Sequence, residues 1–447
     1  MRTELSLALL LAMGTAQAAP PPTPTPTDPA QLRIADLEAR IQALEANAAA
    51  MRQQADAAAA ALKATRAEME AIRQTAATSA PDLAPAPVAA ASEANANAFN
   101  PAISIILNGA YSAHSRDPDD IVRSGFPQVG EGGPSARGLN LGESEISFAA
   151  TIDDRFYGQL TVALGSEDGE TDVGIEEAYI ETTGLPGGLA LRAGRFFSNL
   201  GYLNSHHAHT DKFSDRPLPY QAFLGNQYGD DGVQLRWVAP TDTFLEFGGE
   251  VFRGQSFPAG GAARNGAGVR SLFAHAGGDI GPESSWLAGV SVLDARSDGA
   301  EDGFSGDTRL WVADATWKWA PQGNFKDGGV TVRGEYFLEY RDGQWSDGDS
   351  LLDWNGRRHG GYVEGVYRIN RRWETAYRYD RLWSDDGLPL AEGIAPMRHS
   401  VMLSWINSEF SLVRLQLSRE RPDDGDADTA LTLQYQTALG AHGAHKF

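Results

Sequence analysis

The chain has 447 residues and carries 37 Lys and Arg against 59 Asp and Glu, a formal net charge of -22. That balance excludes nucleic acid as a partner, because phosphate binding needs a basic face. The absence of cysteine excludes disulfide scaffolds, thiolate metal sites and cysteine nucleophiles. A mean hydropathy of -0.33 excludes a bundle of membrane helices but not a membrane β-barrel, in which only alternate residues face lipid.

The N-terminus reads as an export signal. Arg2 precedes the apolar run 5–13, and Ala16-Gln17-Ala18 supplies a small-residue cleavage site, which predicts a signal peptide over 1–18. Residues 19–31 are rich in Pro and Thr and read as an extended linker. Ile34, Leu37, Ile41, Leu44, Ala48, Met51, Ala55, Ala58, Leu62, Thr65, Met69 and Ile72 then alternate spacings of three and four. This seam predicts a self-associating coiled coil over 32–75, which at ~1.5 Å per residue reaches on the order of 65 Å. Residues 76–100 are Ala- and Pro-rich and form a second linker.

From 101 to 447 the period becomes two. Sixteen alternating runs are separated by turn residues: 103–112, 142–152, 156–164, 173–182, 189–196, 232–238, 244–252, 269–277, 286–293, 308–319, 330–340, 362–369, 372–379, 399–406, 412–418 and 431–439. Long connections, such as 113–141 and 197–231, alternate with tight ones, such as Asp153-Asp154, Asn370-Arg371 and Asn407-Ser408. An even number of strands with long loops at one end and tight turns at the other predicts an all-β fold, a 16-stranded antiparallel transmembrane β-barrel with an N-terminal periplasmic α-helical coiled coil. Trp237, Trp286, Trp317, Trp319, Trp373, Trp405, Tyr377 and Tyr379 are candidates for the aromatic girdles, and Phe447 for a terminal sorting signal.

Four segments carry a family resemblance: LGESEISFAATIDDRFYGQLTVAL at 141–164, EEAYIETTGLPGGLALRAGRFFSNLGYLNSHHAHTDKF at 176–213, YGDDGVQLRW at 228–237 and LGAHGAHKF at 439–447. They resemble a family of Gram-negative outer-membrane proteins whose members are labelled porin-like or "zinc-regulated TonB-dependent outer membrane receptor". The order of signal, coiled coil and barrel is similar to that of the phosphate-selective porins O and P. The resemblance implies the cell outer membrane, with the stalk in the periplasm, a homo-oligomer expected to be a trimer, and passive transport rather than catalysis. Two features depart from these patterns. The segment before residue 101 holds no plug domain of the kind a TonB-linked receptor needs, and the barrel lacks a Lys/Arg ladder for phosphate.

Residues 1–100 hold seven basic and ten acidic residues, which leaves -19 of the -22 on the barrel. Alternation assigns Glu143, Glu145, Glu177, Glu181, Arg192, Arg236, Glu246, Glu250, Arg333, Glu335, Glu339, Arg378 and Arg414 to the lumen. Mixed charges across a wet pore orient permeating solutes, and the acidic excess favours cations or neutral polar solutes. The third loop, 198–231, is the expected constriction, and its His206, His207, His209 and Asp211 are chemically suited to zinc. No cofactor is required, although acidic loop residues such as Asp117, Asp119 and Asp428 suit zinc or calcium bridging. The expected partners are outer-membrane lipid, further copies of the chain and, through the coiled coil, peptidoglycan. A competing expectation is an envelope tether in which the barrel only anchors the stalk.

Overall fold

The computed structural model describes residues 101–440 except 127, 168–169, 262–264, 300–301, 347–349, 385–394 and 424. The signal peptide, both linkers, the coiled coil and the terminal Phe447 lie outside the described residues. The strands in chain order are β1 (Ala102–His114), β2 (Gly138–Leu141), β3 (Ser144–Thr151), β4 (Phe156–Glu167), β5 (Glu170–Thr182), β6 (Leu189–Phe197), β7 (Gly229–Val238), β8 (Phe244–Phe252) and β9 (Val269–Ile280). They continue with β10 (Ser284–Asp298), β11 (Phe304–Trp319), β12 (Gly329–Ser346), β13 (Leu351–Arg368), β14 (Trp373–Ser384), β15 (Met397–Ser408), β16 (Ser411–Arg421) and β17 (Asp428–Gly440).

All pairings between these strands are antiparallel, and β1 closes the ring by pairing with β17 on one side and with β2 and β3 on the other. β2 and β3 are two pieces of one barrel strand, interrupted at Gly142 and Glu143. The barrel therefore has sixteen strands, and each of the sixteen alternating runs falls on one of them. Closure leaves no unpaired edge, which a lipid environment demands of any sheet.

The barrel is inverted relative to a soluble core. Along β12, Thr331, Arg333, Glu335, Glu339 and Arg341 are buried, while Val332, Tyr336 and Tyr340 are exposed. Glu335 is 3% exposed and its neighbour Tyr336 is 41% exposed. The same outward apolar series recurs on β7 (Val233, Leu235, Trp237), β16 (Leu415, Leu417) and β17 (Leu431, Leu433, Tyr435). Such a face is stable against hydrocarbon and costly in water.

Two expected loops are largely strand instead. Residues 294–307 and 341–361 extend the ladder of β10 to β13, with Asp294 opposite Arg309 at 2.6 Å and Gln344 bonded to Asp353 at 3.0 Å. Beyond the apolar belt, pairing needs no apolar face, so polar sequence continues the hairpins. The connection expected at 165–172 is largely strand too, since β4 and β5 pair as far as Glu167 and Glu170.

The long connections 115–137 (loop 1) and 198–228 (loop 3) pack against the inner wall. Loop 3 contains a short helix, α1 (Leu218–Leu224), with a proline near its start and Gly225 ending it at φ 58° in the left-handed region. All seven helix residues are buried. Phe126 of loop 1 meets Phe223 at 5.7 Å, and Phe223 stacks on Phe337 of β12 at 5.8 Å, so an apolar cluster fills one side of the lumen.

Candidate functional site

Loop 3 crosses the lumen because its backbone finds partners on distant strands. Glu335 of β12 accepts from the Tyr202 and Leu203 N–H groups at 2.9 and 3.2 Å, and from the Tyr220 and Tyr362 hydroxyls at 2.8 and 2.6 Å. Glu250 of β8 accepts from the Ser198 hydroxyl and the Asn199 N–H. Farther round the wall, Arg378 of β14 donates to the Asp215 carboxylate at 3.0 Å, and Arg398 of β15 reaches the same carboxylate at 3.0 Å. Arg414 of β16 donates to the Asp211 and Phe213 carbonyls at 2.7 and 2.9 Å. Buried carbonyls and carboxylates that would be costly alone are thus each given a donor.

On the other wall the loop meets acid. His209 Nδ1 lies 2.6 Å from Glu145 Oε1 of β3. His207 Nδ1 lies 3.1 Å from Glu145 Oε2 and 3.2 Å from Glu176 Oε2, while its Nε2 lies 2.9 Å from Glu177 Oε2. Burial of the His207 ring works against its charge, but the Glu145, Glu176 and Glu177 carboxylates around it outweigh burial and hold its pKa well above the usual value.

Of the four histidine and aspartate residues expected to act together, the fold joins His207 and His209 but not the others. His206 stacks on Tyr202 at 4.6 Å, with its Nδ1 2.8 Å from the Tyr202 carbonyl. Asp211 faces Arg216 Nε at 2.8 Å, and burial raises its pKa to about 6 despite that cation. The remaining lumen candidates form local pairs. Glu181 bridges Arg192 and Arg236 at 2.7 and 2.6 Å, and Glu246 faces Arg236 and His275 at 3.6 and 3.2 Å. Arg333 pairs with Glu364 at 2.9 Å, and Glu339 with Arg358 at 2.5 Å. Glu143 sits between β2 and β3, and its carboxylate groups with those of Glu145 and Glu176.

Sequence alternation missed Glu176. Thr161 pairs with Glu177 and Val162 with Ile175, so Glu176 is the extra residue of a β-bulge, which lets two consecutive acids meet one imidazole. It also missed Arg216, whose guanidinium is held within loop 3 by Asp211 and the Leu203 and His206 carbonyls, and Arg398, whose loop partners lie far away in sequence. The adjacent Glu pair within an alternating run was the one available signal for the bulge.

Cavities flank the loop on both faces among the described residues. One of 620 Å³ is lined by Asp279, Glu283 and Trp319 at the tight-turn end, together with His206 and Arg333. Another of 230 Å³ is lined by His114, Ser135, Glu143, His209, Arg398 and Asp428 toward the long-loop end. Asp211 lines both.

No family model matches the chain. It is 30% identical over 387 residues to an uncharacterised protein of Aquifex aeolicus strain VF5, covering 78% of this chain and 80% of the relative. Among solved structures it is similar to an anion-selective porin from Comamonas acidovorans, with a TM-score of 0.50, 11% identity, and coverage of 76% of this chain and 99% of that one. It is also similar to the outer membrane channel DcaP of Acinetobacter baumannii, with a TM-score of 0.49, 14% identity, and coverage of 75% and 96%. At such identities the Comamonas likeness is one of fold.

Proposed function

We propose, from the premise that this chain belongs to the same family as the Aquifex aeolicus protein, that it is an outer-membrane porin passing small polar solutes by diffusion, with a preference for cations. The observation that carries this reading is the course of loop 3. It is fastened to both walls and leaves polar cavities on its two faces, with Asp211 lining both. A purely anchoring barrel needs no such charged, water-sized spaces. The anion selectivity of the Comamonas porin does not carry over, because this barrel has an excess of acid. The tight turns face the periplasm in this reading. The coiled coil expected at 32–75, outside the described residues, adds to this reading a homo-oligomer with peptidoglycan as a further partner.

The test is conductance of the purified, refolded full chain in planar bilayers. Stepwise ohmic insertions support the reading. A barrel that migrates as a folded species on unheated gels yet gives no conductance overturns it and favours the tether.

A further inference from the structure

We propose that Glu145, His207 and His209, with Glu176 beside them, form a binding site for a divalent transition-metal cation of the zinc class on the acidic wall of the constriction. The donor atoms of Glu145, His207 and His209 lie within 4.8 Å of one another, as do carboxylate oxygens of Glu143, Glu145 and Glu176. Three carboxylates in so small a volume repel one another, and a dication relieves that repulsion more fully than one proton.

A second observation points to a ligand. Glu145 is 1% exposed, and its Oε2 accepts no well-directed hydrogen bond, although His207 Nδ1 is only 3.1 Å away. A buried carboxylate oxygen in that state is unfavourable, and a metal ion supplies a directed partner. Donors bound at ~2.0–2.1 Å in a tetrahedron stand ~3.3 Å apart. The present His–carboxylate gaps of 2.6, 3.1 and 3.2 Å are already close to that spacing.

The surroundings suit metal ligation. If His207 binds through Nδ1, its Nε2–H is left to donate to Glu177, 2.9 Å away, which itself accepts from Gln159 at 3.0 Å. A carboxylate behind a ligating imidazole fixes its tautomer and raises its basicity. Phe197 meets the His207 ring edge-on at 5.3 Å, and the His207 and His209 rings lie 26° from parallel, which limits their rotation. Two imidazoles with carboxylates favour zinc, copper or nickel over calcium and magnesium, which take oxygen donors. The 230 Å³ cavity, lined by Glu143 and His209, gives access.

The experiment is equilibrium dialysis of the folded full chain against ZnCl₂, with bound metal counted by mass spectrometry. Co²⁺ absorption serves as a second readout, because four-coordinate cobalt gives intense visible bands and six-coordinate cobalt weak ones. The parent should bind one Zn²⁺ per chain. His207→Ala, His209→Ala and Glu145→Gln should each weaken binding by at least the ~10–100-fold that loss of even an outer-layer partner costs. His206→Ala, outside the cluster, should bind like the parent. Heat-modifiable migration on gels confirms that each variant is folded. No Zn²⁺ bound by the parent at millimolar metal, or unchanged binding in folded His207→Ala, overturns the site. Binding is read without conduction, so a barrel that binds zinc but conducts nothing overturns the porin reading and leaves this site standing.

Discussion

Arg378 and Asp215, 163 residues apart, meet at 3.0 Å and tie the middle of loop 3 to β14. Burial opposes ionisation of Asp215, yet Arg398 and Arg378 outweigh it and lower its pKa to about 2. The folded pKa thus lies below the usual ~3.9, so the contribution is present above that value and lost as pH falls toward about 2. In an Asp211→Asn background, which removes the acid on the same loop that titrates at about 6, loop-gating noise in single-channel records should stay flat from neutral pH to about pH 4 and rise below it. Noise that still rises near pH 6 in that background contradicts this assignment.

Asp215→Asn should release the same anchor at neutral pH. Arg378 and Arg398 are almost fully buried, while Asp215 is 28% exposed. Arg378 keeps Asp380 and Arg398 keeps Asp380 and Glu420, so removing this acid should cost about 1–3 kcal/mol of loop anchoring. Faster cleavage of loop 3 in limited proteolysis, with barrel heat-modifiability retained, is the expected outcome. Cleavage at the parent rate speaks against the anchor.

Glu335 and Glu339 are fasteners in this structure. Glu335 holds loop 3 through its backbone and two tyrosines, and Glu339 is held by Arg358 and Arg341. Neutralising Glu335 should therefore raise and destabilise the conductance more than it shifts selectivity. A clean shift of reversal potential toward anions, with quiet channels, would show that Glu335 filters ions instead.

Asp211 is the better filter candidate, because it lines the cavities on both faces of the loop. Asp211→Asn should reduce cation preference with little change in assembly. The comparison is the reversal potential of parent and variant at equal salt, and equal values would remove Asp211 from the solute path.

Gly194 tests the barrel itself. It lies at φ 129° opposite Tyr179, and an added Cβ would press on the Ala178 carbonyl. Gly194→Ala should destabilise the folded barrel by roughly 1–3 kcal/mol, read as a lower temperature of conversion to the unfolded band on gels. An unchanged conversion temperature would mean that the strand relaxes freely.

Much of the barrel was legible because its alternation is a local property. Val332, Tyr336 and Tyr340 could be separated from Arg333, Glu335 and Glu339 by parity alone. Strand ends were less legible, since the hairpin tips around Asp294 and Gln344 are polar on both faces and carry no amphipathic signal. Parity also fails at a bulge, which is why Glu177 was expected in the lumen and Glu176 was not. Loop 3 was marked by its length and histidines. Its partners were hidden, because nothing local to His209 announces Glu145, 64 residues away. The proximity of His207 to His209 was legible, but the exclusion of His206 follows from its stacking on Tyr202, which only the folded loop displays.

Diffusive conduction and cation preference are read together in one measurement. Purified full-length protein is inserted in a planar bilayer under a KCl gradient, and the zero-current potential is read at low and high salt. A cation-preferring channel gives a potential on the K⁺ side of zero that shrinks at high salt, where screening falls to a few Å (~3 Å at 1 M). A potential on the Cl⁻ side at low salt, or folded protein that carries no current, contradicts it.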